Sequence, residues 1–204
     1  MKRLETVDRF DGWIAGLGTE AGLRVVVGRW ASSPLGGFTD VMLEQPDGHR
    51  ILLAPGDVVA TYVAATYRFD DVMITGVRAE VRSNSWLVTA GPLRMELEIG
   101  HRPALGWLLR AVPRALATAP AWIQLTDAVA QQALPGVRTR GSAGGGREEF
   151  YAALDLHRIV VASVRWRGAD QGSLVPVTPP VRFGFGSTPA TPSLVRVVSL
   201  VARP

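Results

Sequence analysis

The sequence predicts an α+β, β-rich fold, an antiparallel twisted sheet closing into a barrel or half-barrel. Short helices near 5–17 and 57–67 and a two-helix insertion around 103–134 accompany it. Three observations carry this reading. Valine-rich or alternating apolar runs recur along the chain, enough for roughly eight to ten strands. The runs are joined mostly by short turns, which antiparallel neighbours allow and parallel ones do not. One stretch, Pro103 to Leu134, changes character and reads as two short helices broken near Pro113 and Pro120. With 204 residues, 47% of them hydrophobic and 20% charged, the chain is expected to form a single domain over 1–204 with a real core.

Taken in order, Val7, Phe10, Trp13, Ile14 and Leu17 show the three/four spacing of an amphipathic helix, with Gly16 and Gly18 offering a stop. Leu23 to Trp30 is rich in valine, and Phe38 to Glu44 alternates in part. Gln45-Pro46-Asp47-Gly48 makes a turn, because proline presets φ and Asp-Gly tolerates positive φ, and the chain returns along His49 to Leu53. Asp57 is placed to cap a helix running to Tyr67, with Val58, Val59, Tyr62, Val63 and Thr66 along one side. Strands follow at Val72 to Val81, Ser85 to Thr89 and Leu93 to Ile99, with Asn84 in a tight turn. In the third of these Leu93, Met95, Leu97 and Ile99 alternate with Arg94, Glu96 and Glu98, which means one buried face and one wet face. Beyond a glycine-rich loop, Gly136 to Arg147, alternation resumes at Glu149 and keeps its parity through Trp166. Final strands are expected around Val181 to Phe185 and Leu194 to Val201.

Composition excludes several chemistries. There is no cysteine, so disulfides, thiolate metal sites and cysteine nucleophiles are out. Lys2 is the one lysine among 22 basic residues, which removes Schiff-base catalysis and a Walker-type phosphate site. His49 and His101 have no partner at metal-ligand spacing, and neither a metal nor a cofactor is expected. Ser142 and Ser187 lie in glycine-rich surroundings without the GxSxG form of a nucleophile elbow. The N-terminus lacks the apolar run of a signal peptide, and no apolar stretch approaches about 18 residues. The expectation is a cytoplasmic protein without a transmembrane segment. Net charge is −3 over residues 1–100 and +7 over 101–204, but the arginines are scattered and carry no nucleic-acid-binding signature. No nucleic-acid partner is expected.

Three places draw functional readings. The loop arginines Arg138, Arg140 and Arg147, among glycines whose N–H groups can turn inward, suit a phosphate or carboxylate; with Trp166 they are the candidate ligand-binding residues. Asp155 and His157 are two apart on a strand and share a face with Tyr151, an arrangement for acid–base catalysis in which the carboxylate orients the imidazole. The segment 104–116 forms a basic amphipathic helix, with Arg110 and Arg114 on one side and Trp107, Leu108, Ala111 and Val112 on the other. Such a helix can meet a membrane surface or a protein partner.

The segments Gly136-Val137-Arg138-Thr139-Arg140-Gly141-Ser142-Ala143-Gly144-Gly145-Gly146, Asp155-Leu156-His157 and Pro180-Val181-Arg182-Phe183-Gly184-Phe185-Gly186-Ser187-Thr188-Pro189 resemble hypothetical proteins of GC-rich actinobacteria. That family has no function to carry over. Lipocalin-like and nitrobindin-like barrels want an early glycine–tryptophan signature that this chain lacks in the expected form. An acetoacetate decarboxylase-like fold relies for its activity on a lysine that is absent. The leading expectation is therefore a β-barrel-like binder of a small, largely apolar or anionic ligand. The alternatives are a metal-independent enzyme working through Asp155 and His157, or a peripheral membrane or protein-interaction module.

Overall fold

A computed structural model describes residues 6–119, 140–142, 144–184 and 188–203. Its first half is a meander of β1 (Thr6–Thr19), β2 (Arg24–Ser32), β3 (Phe38–Glu44) and β4 (Arg50–Ala54). Helix α1 (Asp57–Thr66) then crosses over to β5 (Asp71–Ile74), which lies parallel to β4. A parallel neighbour needs such a crossover, whereas the other pairs are antiparallel and need only turns. A second meander, β6 (Val77–Val81), β7 (Ser85–Ala90) and β8 (Leu93–Ile99), leads into α2 (Ala104–Ala111) and α3 (Arg114–Ala117). After the short β9 (Arg140–Ser142) comes β10 (Glu148–Trp166), then β11 (Ala169–Asp170), β12 (Leu174–Val175) and β13 (Ser193–Arg203).

All thirteen strands share one hydrogen-bonded sheet whose main path runs β5-β4-β3-β2-β1-β13-β10-β8-β7-β6. The path ends at β5 and β6 without joining them, so the sheet is a curled half-barrel. Its concave face is filled rather than hollow. Val25, Val27, Val41 and Leu43 from one arm meet Trp86, Val88, Met95 and Leu97 from the other, all 3% exposed or less. The opposite face of β1–β4 is covered too. Val59, Ala60 and Val63 of α1 pack on Leu52 and Ala54, while Phe183 from the segment before β13 packs on Ile14, Val26 and Val197.

That double coverage explains the main departure from the sequence reading. Residues 5–17 form no helix among those described; 6–19 are strand β1. Phe10 and Ile14 point outward under α1 and the C-terminal segment, while Trp13 and Leu17 point into the concave core. With apolar residues on both faces the period of two disappears, and the mixture of faces mimics helical spacing. Smaller corrections have local causes. Gly56, not Asp57, occupies the cap position of α1, and Asp57 is its first helical residue. The stretch 72–81 breaks at Thr75, whose N–H bonds back to Ala54, giving β5 and β6 in place of one strand. Residues 181–184 form no strand, because Arg182 is drawn to a side chain instead of a ladder. The break at Pro113 separates α2 from α3; Pro120 and the rest of the expected insertion lie outside the described residues.

The side chain that holds Arg182 is Glu44, at the end of β3 and fully buried. It accepts from the Arg182 backbone N–H at 2.7 Å and from Nε at 2.9 Å, and it faces the buried Arg24 guanidinium at 3.3 Å. Arg24 in turn donates to the carbonyls of Pro179 and Gln45. One carboxylate thus straps 179–182 across the outer face of the sheet. Glu44→Ala strands the Arg24 charge and is expected to cost about 3–5 kcal/mol in chemical denaturation. Arg182→Ala, whose side chain is 68% exposed, is expected to cost about 1 kcal/mol or less by the same measurement.

Candidate functional site

Under that strap, between the outer face of the sheet and α1, lies a partly enclosed cavity of about 50 Å³. It has room for a few waters or a group of a few heavy atoms. Strand periodicity builds its floor. Alternate residues of β1, β2 and β13 send Phe10, Ile14, Val26, Ser199 and Val201 to it, and Phe183 and Gly184 close it from above. Aromatic rings form one wall, with Phe10 at 5.6 Å from Trp30 and 5.2 Å from Tyr62, centroid to centroid.

Two carboxylates and two tyrosine hydroxyls give this apolar space its chemistry. Glu149, 2% exposed, accepts from Ser199 at 2.7 Å and from Tyr67 at 2.8 and 2.7 Å. Tyr67 and Tyr151 share a 2.6 Å hydroxyl contact, and Tyr151 also hydrogen-bonds Glu149. Burial pushes the Glu149 carboxyl up, against the hydroxyl donors that pull it down. Burial, then the Glu149 charge, holds both tyrosines well above their usual range, so they remain protonated donors. Across the cavity Asp40, 1% exposed, accepts from the Trp30 indole N–H at 3.2 Å. Gly28 makes that bond possible. A Cβ there would stand 2.6 Å from Asp40 Oδ1 and 2.8 Å from the indole nitrogen. Burial raises the Asp40 carboxyl to about 7, with only the indole and its own backbone opposing. Among the described residues no cationic side chain lines the cavity.

The sequence candidates fall in different places. Tyr151 belongs to this cavity, but Asp155 and His157 do not, which corrects the shared face. Ala153 pairs with Val197 and Asp155 with Arg196, so β10 bulges at Leu154 and its side chains change sides. Asp155 lies instead in a groove on the concave side, beneath α2 and α3. Burial raises its carboxyl, but the bonds from Arg102, at 2.6 and 2.8 Å, and from the Leu156 N–H outweigh it and hold it below the usual range. His157 Nε2 accepts from Arg102 at 3.1 Å, which leaves Nδ1 to donate to the Gly100 carbonyl at 3.3 Å. The pair is thereby engaged in structural bonds.

Of the loop arginines, Arg138 lies outside the described residues. Arg140 contributes backbone to β9, opposite Phe150. Arg147 donates to the Tyr62 carbonyl and the Thr66 hydroxyl in the last turn of α1, at the rim of the cavity, where its charge suits the helix terminus. Trp166 is packed in the concave core, 6% exposed, and lines neither the cavity nor the groove. On α2, Trp107 and Leu108 are 59% and 65% exposed, and Arg102 stacks over the Trp107 ring. No described helix is long and apolar enough to cross a membrane. Sequence reasoning missed Glu149, Asp40 and Tyr67. Their partners are distant in the chain, and on a strand Glu149 looks like any solvated carboxylate.

No protein-family model matches the chain, and no curated protein sequence matches it. In structure it is similar to acetoacetate decarboxylase from Legionella pneumophila, with 8% identity and a TM-score of 0.45 over 97% of this chain and 85% of that one.

Asp40 also links the cavity to stability. Its folded carboxyl binds a proton more tightly than the usual 3.8 of an unfolded chain. The associated stability is full below about pH 4 and is lost as pH rises through 7. Asp40→Asn keeps an acceptor for Trp30 without a charge. In chemical denaturation it is expected to be more stable than the wild type at pH 8, by at most about 4 kcal/mol, with the gain gone at pH 4.

Proposed function

We propose that the protein binds a small organic cation, a protonated amine or alkylammonium group, in the cavity on the outer face of its half-barrel. The observation that carries this reading is a charge balance. Asp40 and Glu149 are buried on opposite sides of the cavity among aromatic rings, and among the described residues no arginine lines the space with them. Buried carboxylates ordinarily have cationic partners, and an ammonium group entering here supplies one. The rings of Trp30 and Tyr67 add the cation–π attraction that favours such a group over a neutral isostere. The barrel-like fold suits small-molecule binding in general. An anionic ligand does not suit this cavity, because the carboxylates would repel it.

A second reading, proton-transfer catalysis on the same ligand, is favoured by the placement of Asp40, a buried carboxyl lining the cavity with only the Trp30 indole as side-chain partner among the described residues, where burial pushes it up to about 7, the range that suits a general acid–base group. It replaces Asp155 and His157 with Asp40 and Glu149. Under it, deuterium from D2O enters a carbon position of the bound ligand in the wild type and not in Asp40→Asn.

Calorimetric titration with methylammonium and trimethylammonium at pH 8 tests the binding reading. Saturable binding is expected, weakened at least about tenfold by Glu149→Gln. Because the cation needs ionised carboxylate, affinity is expected to fall between pH 8 and pH 6, approaching about tenfold per unit below 7. Acetate binding as tightly as methylammonium, or no cation binding at all, would overturn it.

A further inference from the structure

The opposite face of β1 and β13 has the opposite electrostatic character. Where β1 sends Phe10 and Ile14 to the cavity, it sends Asp11 and Trp13 to the concave side. There, α2 and α3 stand over β1, β13 and β10 and enclose a groove of about 440 Å³. Trp13, Arg110, Arg114, Leu154, Asp155 and Arg196 line it, along with the chain between the two helices. That volume is within the usual range for a small-molecule site.

Among the described residues, the groove and its immediate surroundings hold more guanidinium than carboxylate. Asp11 is approached by Arg114, Arg196 and, at 3.8 Å, Arg9. Asp155 is gripped by both ends of Arg102 and has Arg110 at 3.7 Å and His157 at 3.6 Å. Among the described residues five guanidiniums thus lie about these two carboxylates, a surplus of three positive charges without counting the histidine. The arginines are not equally engaged. Arg196 is tied to the Gly12 carbonyl at 2.7 Å and lies over Trp13. Arg110 is 62% exposed, and its nearest carboxylate is beyond hydrogen-bond distance. Arg114 is 58% exposed and meets Asp11 through one nitrogen only. Planar forks of this kind, converging on one space with donors to spare, are the arrangement that recognises an oxyanion bidentately.

We propose that this groove is a second binding site, for a small molecule carrying an oxyanion, phosphoryl or carboxylate. Arg110 and Arg114 grip the anion from above, and Arg196 supplies the charge beneath. Trp13, Leu154, Val112 and Pro113 form apolar walls for the rest of the molecule. The site does not depend on the cavity reading, since it uses other residues on the other face and takes the opposite charge.

Calorimetric titration of the whole protein with inorganic phosphate and, separately, with benzoate tests the proposal. Saturable binding of at least one is expected. Tighter phosphate binding assigns a phosphoryl ligand, and tighter benzoate binding a carboxylate with an apolar body. Arg110→Gln, which removes no hydrogen bond from the fold, is expected to weaken that binding at least fivefold, and Arg110→Gln/Arg114→Gln at least tenfold. Arg165→Gln, on the far part of β10, is expected to leave it unchanged, and all variants are expected to melt within about 2 °C of wild type. The proposal is overturned if neither anion binds saturably, or if binding is the same in wild type and Arg110→Gln. Glu149→Gln, expected to weaken amine binding in the cavity, is expected to leave anion binding intact, so the two sites fail separately.

Discussion

Strand β10 is the element on which the rest of the molecule depends. From Glu148 to Arg158 it pairs with β13, and from Ile159 to Trp166 it pairs with β8, so one continuous strand joins both arms of the curled sheet. Its ladder slips between Ala153 and Asp155 and again between Ile159 and Val161. An extra residue in one strand leaves backbone groups unpaired and increases the local twist. Here the added twist helps curl the sheet around a filled core. The first slip also decides which side chains face which way: Glu149 and Tyr151 reach the cavity, and Asp155 reaches the groove.

This division gives one set of strands two electrostatic characters. The period of two along β1 and β13 sends apolar residues and Ser199 to one side and Asp11, Trp13 and Arg196 to the other. The sheet between them keeps the buried carboxylates of the cavity apart from the arginines of the groove, which would otherwise neutralise them. Helices do the covering on both sides. On the outer side Glu44 also straps a loop in place, so the cavity is roofed by chain that an ion pair holds.

The sequence made the singly covered parts of this architecture legible. Strand β8 begins and ends where its alternation says, because one face is buried and Arg94, Glu96 and Glu98 stay wet. The turn at Gln45–Gly48 forms as its proline and glycine dictate, with Gly48 at a φ of 89° and its N–H bonded to Gln45. Strand β1 was not legible, since apolar residues on both faces mimic a helix. The candidate site was legible only in Tyr151. Asp40 and Glu149 are ordinary acidic residues of alternating strands until Trp30, Tyr67 and Ser199 close around them, and nothing local records those meetings. The bulge at Leu154 is equally silent, which is why Asp155 was placed beside Tyr151.

The central position of β13 has a consequence for how the protein comes into being. Thr6 pairs with Arg203 and Gly16 with Ser193, so β1 finds its neighbour nearly the whole chain away. On the ribosome, the first meander can form as it emerges, but one edge of β1 has nothing to pair with until β13 has been made. Contacts of such long sequence separation close slowly. Throughout translation that edge is an open template, apolar on both faces and able to accept a strand from another nascent chain. The slot that β13 fills therefore stays open until that strand has been made, and it is where misassembly would begin.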